Sequence, residues 1–380
     1  MKVGIDARFA SYRRGIGNYA YQLITELTRI RNQHQFVVYA DASMAAGDVA
    51  KWAAEGSRVH VHPPYPYALW EQFFLPRWAA RDRLDLLHCP GNTGPLTLSR
   101  RVKVVLTLHD VMYLLPHTVV PQSMSPYQRL GRVYRRVVAP RVAARAEAII
   151  ADSDHTRNDV ANRLGIPPVR IRVIHPAPDA AFQPLPRQEA LDDVKRRYGL
   201  RDPMLLAMGA VDPRKNTLGI LRAFALARQQ GALRHQLVIV GLPRSVPAQF
   251  VRLASALGIE EDVVFLDFVP NDMLVKLYNA ATIFLYPSFY EGFGFPVLEA
   301  MACGVPVIAS TAGSVPEIAG DAALFVRPDD IHGLGRAIVT LAADESLRQT
   351  LVRKGAVRAA TFSWGRTAAA TMRVYDECDQ

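Results

Sequence analysis

The chain has 380 residues, is 50% hydrophobic and 21% charged, and carries a net charge of +10. This is an ordinary globular composition that excludes disorder, collagen and coiled coil, and no apolar run approaches the roughly 18 residues of a membrane span. The charge is uneven: residues 1–180 hold 24 Lys+Arg against 14 Asp+Glu, whereas 181–380 hold 21 of each, so the first half is expected to meet something anionic.

Short apolar runs alternate with amphipathic stretches. Strands are predicted at 2–5, 36–40, 84–88, 102–108 and 147–151, with a helix over 19–30. The pattern restarts with strands at 204–209, 236–240, 263–266, 282–286, 305–309 and 323–326. Helices at about 216–230, 247–257, 271–280, 296–302 and 331–342 lie between them. Five prolines between 176 and 203 break any continuous sheet there and mark a linker followed by a connecting helix. Strand–helix alternation with β-branched strand cores implies doubly wound parallel sheets. The expected architecture is α/β, with two Rossmann-like domains facing each other across a cleft: 1–178, 179–362, and a terminal helix 363–380 that crosses back to the first domain. Cys89, Cys303 and Cys378 are far apart, which fits a reducing compartment and gives no disulfide framework or zinc site. The start, MKVGIDARFA, lacks the apolar core of a secretory leader, so a cytoplasmic location is expected.

The stretch 286–304, YPSFYEGFGFPVLEAMACG, carries the most chemistry. A strand ends at Tyr286, Glu291-Gly292-Phe293-Gly294 form a loop, and Phe295-Pro296 open a helix that Gly304 ends. Glycines before a helix start let backbone N–H groups face an anion. Glu299, read in the first turn of that helix, and Glu291 are poor anion ligands but good partners for sugar hydroxyls, since a carboxylate accepts two hydrogen bonds from a vicinal diol. The other reading is a turn followed by a dipole-favoured acid. E-G-F-G-F-P-V-L-E-A-M-A-C-G resembles the E-x7-E motif of the family 4 retaining glycosyltransferases, which have the two-domain GT-B fold. The resemblance continues through Ser310–Glu317 and Gly320–Ala323 and covers 205–365 closely and the first half more loosely. It implies Glu291 beside the donor sugar, backbone N–H groups of Phe293, Gly294 and Phe295 near it and the diphosphate, and Glu299 on the nucleotide ribose. It also implies that no metal is required.

Other residues fit the same expectation. Gly209 follows a strand, and Arg214 and Lys215 follow Gly209; cations at a helix start sit against the dipole, so they are read as a charge pair for a departing diphosphate. The family has an Arg and a Lys in this loop, often wider apart; the adjacent P-R-K-N form resembles mannosyltransferases of polysaccharide and lipopolysaccharide assembly. Gly15 and Gly17 match the family's glycine-rich first loop, which approaches the diphosphate or the acceptor; the other reading is a tight turn. His109 and Asp110 end a strand, and the family's His there lies beside the donor sugar's C6 hydroxyl, with its carbonyl near the anomeric carbon. Val269 and Leu274 lie where family members contact the base.

Residues 111–146 contain no Asp or Glu but six Arg. Arg129, Arg132, Arg135 and Arg136 are placed on one helical arc and Leu130, Val133, Tyr134, Val137 and Val138 on the other. The irregular aromatic stretch 64–74 lies upstream. Together they suggest an anionic membrane surface carrying a lipid-diphosphate-linked acceptor; the alternative is an ordinary solvated helix face. Asp152-Ser153-Asp154 is read as helix capping, not as a D-x-D metal motif.

The expected activity is hexose transfer with retention from a nucleotide sugar, best GDP-mannose, to a glycan or lipid-linked acceptor. UDP-glucose or UDP-N-acetylglucosamine donors are the alternative. A Rossmann NAD-dependent oxidoreductase is disfavoured because Gly15-Ile16-Gly17-Asn18-Tyr19-Ala20 has no third glycine. A nucleic-acid binder lacks any recognition motif.

Overall fold

The computed structural model describes all residues except 32, 117–125 and 232; those nine central residues of the acid-free stretch therefore lie outside the described chain. Two compact units form. The first takes the described residues of 1–115, 124–176 and 363–380, and the second takes those of 177–362.

In the first unit a seven-stranded parallel sheet has the order β3-β2-β1-β4-β5-β6-β7. Its strands are β1 (Lys2–Asp6), β2 (Gln35–Asp41), β3 (Arg58–His62), β4 (Leu86–Cys89), β5 (Lys103–Leu108), β6 (Ala148–Ala151) and β7 (Ile171–Val173). The central strands are buried on both faces, as a sheet covered by helices requires. The covering helices are α1 (Ile16–Arg29), α2 (Ala46–Ala54), a single turn α3 (Tyr67–Leu69), α4 (Leu75–Asp82), α5 (Pro126–Arg145) and α6 (Asp154–Leu164). The second unit runs α7 (Arg187–Tyr198), β8 (Met204–Met208), α8 (Thr217–Gln229), β9 (Gln236–Val240), α9 (Ala248–Ala256), β10 (Val263–Leu266), α10 (Asn271–Ala280), β11 (Ile283–Tyr286), α11 (Phe295–Ala302), β12 (Val307–Ser310), α12 (Val315–Ala319), β13 (Ala323–Val326), α13 (Ile331–Ala343) and α14 (Glu345–Ala359). Its parallel sheet has the order β10-β9-β8-β11-β12-β13. Finally α15 (Trp364–Asp379) packs in the first unit. Its Tyr375 hydroxyl lies 2.6 Å from His88 Nδ1, and Thr367 donates to the His175 carbonyl at 2.7 Å.

In each sheet the strand order reverses once, between β1 and β4 and between β8 and β11. In open parallel sheets this reversal opens a crevice at the strands' carboxyl ends.

Two sequence expectations are corrected, and two strands are added. The aromatic stretch 64–74 is not irregular from Tyr67 onward: α3 leads into a π-helical stretch, Trp70–Phe74, and then α4, and Trp70 is fully buried. Its indole donates to Asp6 at 3.0 Å; this polar partner, invisible in the local pattern, draws an aromatic inward. The α5 arcs are also different. Arg132 is buried because its guanidinium donates to the carbonyls of Tyr113 and Leu115. Leu130, Val133 and Val137 are exposed, so the outer face mixes apolar side chains with Arg129, Arg135 and Arg136. The strands β3 and β7, both at sheet edges, escape hydrophobic patterning because most of their side chains are only half-buried or exposed.

Candidate active site

In the second unit the site grows from the two strands that flank the order reversal, β8 and β11, which pair directly through Leu205 and Ile283. After β8, Gly209 leaves no room for a side chain: a Cβ would meet Ile239 at 2.3 Å. Asp212 then caps a 3-10 turn, Pro213–Lys215. One Asp212 oxygen accepts the Arg214 N–H at 3.0 Å and the other accepts Arg214 Nε at 2.9 Å. Asn216 donates to the carbonyls of Pro287 and Pro328, which ties the turn to the ends of β11 and β13.

Lys215 Nζ reaches the loop after β11. It donates to Glu291 Oε1 and to the Tyr286 hydroxyl, each at 2.7 Å. Glu291 is 9% exposed, so the ammonium compensates most of its buried charge. The Glu291 backbone is fixed as well: the Ser314 hydroxyl donates to its carbonyl at 3.1 Å. Gly313, at φ +65, lies so close that a Cβ would stand 2.8 Å from both the N and the O of Glu291. Gly292 and Phe293 continue the loop, Gly294 takes φ +117, and α11 starts at Phe295 with Pro296 in its first turn.

Glu299 is the fifth residue of α11, whose first turn holds no acid. The expected first-turn placement is thus wrong, and the helix dipole does not explain this carboxyl. It accepts a hydrogen bond from the Tyr278 hydroxyl at 3.0 Å. Burial raises its pKa to about 7; the Tyr278 bond and the Lys215 charge oppose the rise, and Asp179 adds to it. Leu274 lies one turn before Tyr278 on α10, and Val269 and Leu274 are both half-buried against the same core. The second unit therefore brings together Gly209, Arg214, Lys215, Glu291 and the glycine loop around one sheet reversal, with Glu299 joined to α10 through Tyr278.

In the first unit Gly15 opens α1 at φ +49, and a Cβ on Gly17 would fall 1.8 Å from the Tyr12 carbonyl oxygen. His109 follows β5 and is 8% exposed. Its Nδ1 lies 2.6 Å from Asp152 Oδ2 and its Nε2 2.8 Å from the Pro90 carbonyl oxygen. Asp110 accepts the Met112 N–H. Sequence reasoning misses Asp152, because Asp152-Ser153-Asp154 reads as a helix cap. Ser153 is the cap, accepting from the Thr156 N–H, and Asp154 pairs outward with Arg157. Asp152 directly follows β6, so the strand-end criterion that selected His109 selects it too.

Similarity to known proteins agrees with this geometry. Residues 13–182 match the Glycosyltransferase Family 4 model and 191–358 the Glycosyl transferases group 1 model. The chain is 30% identical over 373 residues to the O-antigen chain mannosyltransferase B of Escherichia coli, covering 95% of each protein. It is 34% identical over 319 residues to the D-inositol 3-phosphate glycosyltransferase of Salinispora arenicola, covering 78% of this chain and 70% of the relative. In fold it resembles Anabaena HepE, solved with UDP and glucose, at a TM-score of 0.74 and 18% identity over 99% of this chain and 100% of that one. With two Rossmann-like parallel-sheet units and both halves matched by these models, the chain belongs to the glycosyltransferases of family 4.

Proposed function

We propose that the chain transfers mannose from GDP-mannose, with retention of configuration and without a metal, to a glycan or lipid-diphosphate-linked acceptor of polysaccharide assembly. The observation that carries this reading is the Lys215–Glu291 pair at the reversal of the second sheet. In the proposed reaction Arg214 and Lys215 take the charge of the departing diphosphate, a preorganised arrangement that lowers the barrier most where charge develops. Glu291 holds the sugar and stabilises its developing positive charge. Glu299 accepts the ribose diol, Val269 and Leu274 pack on the base, and the loop Gly292–Phe295 contributes backbone N–H groups. A diphosphate oxygen takes the acceptor's proton, and the acceptor oxygen attacks from the face that the diphosphate leaves. His109, with the Gly15–Gly17 loop, is the contribution of the first unit.

Mannose is favoured by the P-R-K-N loop and by the named activity of the Escherichia coli relative. The second reading, a UDP-sugar donor, is favoured by the UDP and glucose bound in the Anabaena structure. A donor screen that scores nucleotide release across GDP- and UDP-sugars separates them. Release from GDP-mannose alone supports the first reading, and release from UDP-glucose alone overturns its donor.

The acceptor side of the proposal is an anionic membrane surface at the inner face of the cell membrane. No helix among the described residues is long and apolar enough to cross a membrane, so binding would be peripheral. Support comes from the outer face of α5, where Leu130, Val133 and Val137 alternate with arginines, and from exposed Leu69 and Phe73 on the adjoining helical segment. The two segments touch through Tyr67 and Tyr134, with ring centroids 5.4 Å apart. Apolar side chains ringed by arginines suit an interfacial helix better than a purely basic arc.

A further inference from the structure

Every polar group of His109 is tied. Its N–H donates to Asn92 at 2.7 Å, its carbonyl accepts from Thr156 at 3.2 Å, and both ring nitrogens face acceptors, Asp152 and the Pro90 carbonyl. A carbonyl oxygen cannot donate, so Nε2 carries a hydrogen. A carboxylate at 2.6 Å from Nδ1 makes the second N–H bond charge-assisted. The ring therefore has no free lone pair with which to act as a base. Asp152 is itself 1% exposed, and its other oxygen, Oδ1, has no hydrogen-bond partner among the described residues, so its charge is directed at the imidazole undiluted.

The groups facing the ring come from four elements. Tyr19 of α1 sits edge-on, with centroids 4.6 Å apart. His88 of β4 is held by Thr107 and by Tyr375 of α15; burial, with the charge of His109, pushes its pKa down to about 3, so it stays neutral. Asp110 adds a weaker attraction from the next position in the chain. Burial pulls the His109 pKa down, but the Asp152 charge and the bonds to Asp152 and Pro90 outweigh it, and the net direction is upward.

We propose that Asp152 is a positioning residue for sugar transfer: it fixes His109 as an immobile, charged imidazolium, so that His109 acts through its fixed charge and fixed main-chain carbonyl and not by proton transfer. This rests on the reading of His109 as a sugar-site residue. The arrangement differs from a catalytic His–Asp pair, in which one ring nitrogen stays open to exchange a proton with the substrate.

The test uses the full-length chain. In the wild type, NMR of the His109 ring finds both nitrogens protonated to a higher pH than in a free imidazole; a ring that titrates at or below the free imidazole overturns the proposal. In Asp152→Asn, burial dominates and the ring loses its proton at a lower pH than in the wild type. Turnover at saturating donor then falls about 10²-fold at high pH, while donor KM stays within about threefold. The deficit shrinks as pH falls and the imidazolium returns. Asp152→Glu, which keeps the charge, recovers part of the loss. An unchanged melting temperature reports that each variant is folded. An Asp152→Asn enzyme with wild-type turnover, or one equally impaired at every pH, contradicts the positioning role. Unchanged turnover in His109→Ala overturns the underlying site reading instead, and does so whatever the ring's protonation state.

Discussion

Lys215 Nζ lies 2.7 Å from Glu291 Oε1, across 76 residues of chain. The cation proposed for the diphosphate is thus paired with the acid proposed for the sugar. A diphosphate bound as proposed would compete for this ammonium, which would couple donor binding to the placement of Glu291.

The pair predicts a separation of stability from activity. Lys215→Met leaves Glu291 without its partner and costs about 1–3 kcal/mol of stability. It also lowers turnover roughly 10²–10³-fold, the usual loss on removing a preorganised charge from a developing anion. Adding Glu291→Gln restores the melting temperature but not the turnover. Arg214→Ala lowers turnover by a similar factor, with a smaller stability loss. Melting curves beside saturating-donor kinetics check this; near wild-type turnover in both cation variants removes them from the leaving-group role.

With Glu299 on the ribose as proposed, nucleotide binding is expected to depend on pH. Its folded pKa of about 7 lies above the ordinary 4.5, so the carboxyl is protonated below neutrality and must lose its proton to accept both hydroxyls of a ribose. Nucleoside diphosphate affinity is expected to fall about tenfold for each pH unit below 7 and to level off above it. Glu299→Gln weakens binding at high pH by about 1.5–3 kcal/mol and flattens the profile. For folding the sign is opposite. Because the folded pKa is the higher one, the stabilising contribution of Glu299 is full below pH 4.5 and is lost as pH rises through 7. Calorimetry from about pH 5.5 to 8.5 separates these outcomes from a pH-independent site.

Much of this was legible in the sequence. The alternation of apolar runs and amphipathic stretches located both sheets, because a strand covered on two faces must be apolar throughout, as in β8, MLLAM. Glu291, Lys215 and His109 were legible because each follows the carboxyl end of such a strand. Asp152 obeys the same rule but was hidden by Ser153 and Asp154, which look like caps. The position of Glu299 is misjudged by one residue, enough to take it out of the first turn, because Pro296 marks the first turn of a helix without marking its first residue. The buried Arg132 could not be read, since its partners are the carbonyls of Tyr113 and Leu115, nearly twenty positions away. Side chains that find partners across such distances leave no periodic trace.

Gly313→Ala tests whether the Glu291 backbone must stay where it is. The added Cβ would press on the Glu291 N and O from 2.8 Å at a backbone angle of φ +65, which an L side chain rarely adopts. Turnover is expected to fall by about tenfold or more with a stability loss of roughly 1–3 kcal/mol, although no charged group changes. A variant with unaltered kinetics would show that Glu291 tolerates displacement and is not a sugar ligand.

The outer face of α5 predicts vesicle binding. Wild-type protein should sediment with anionic vesicles and not with neutral ones. Arg135→Glu with Arg136→Glu should remove about 1 kcal/mol of attraction for each arginine lost, before repulsion is added, and salt should imitate the change as the Debye length shrinks below about 8–10 Å. Leu130→Ser with Val133→Ser should weaken binding in a way that salt does not imitate. Equal recovery of wild-type protein in both supernatants would leave α5 as a solvated face.

The stereochemistry of transfer tests the central claim most directly. With GDP-mannose as donor, NMR of the anomeric carbon and proton in the new linkage reads its configuration as it forms. The account predicts an α-linked product from the α-linked donor, formed at a rate that collapses in Lys215→Met. A β-linked product contradicts attack from the leaving-group face and, with it, the roles given to Lys215, Arg214 and Glu291.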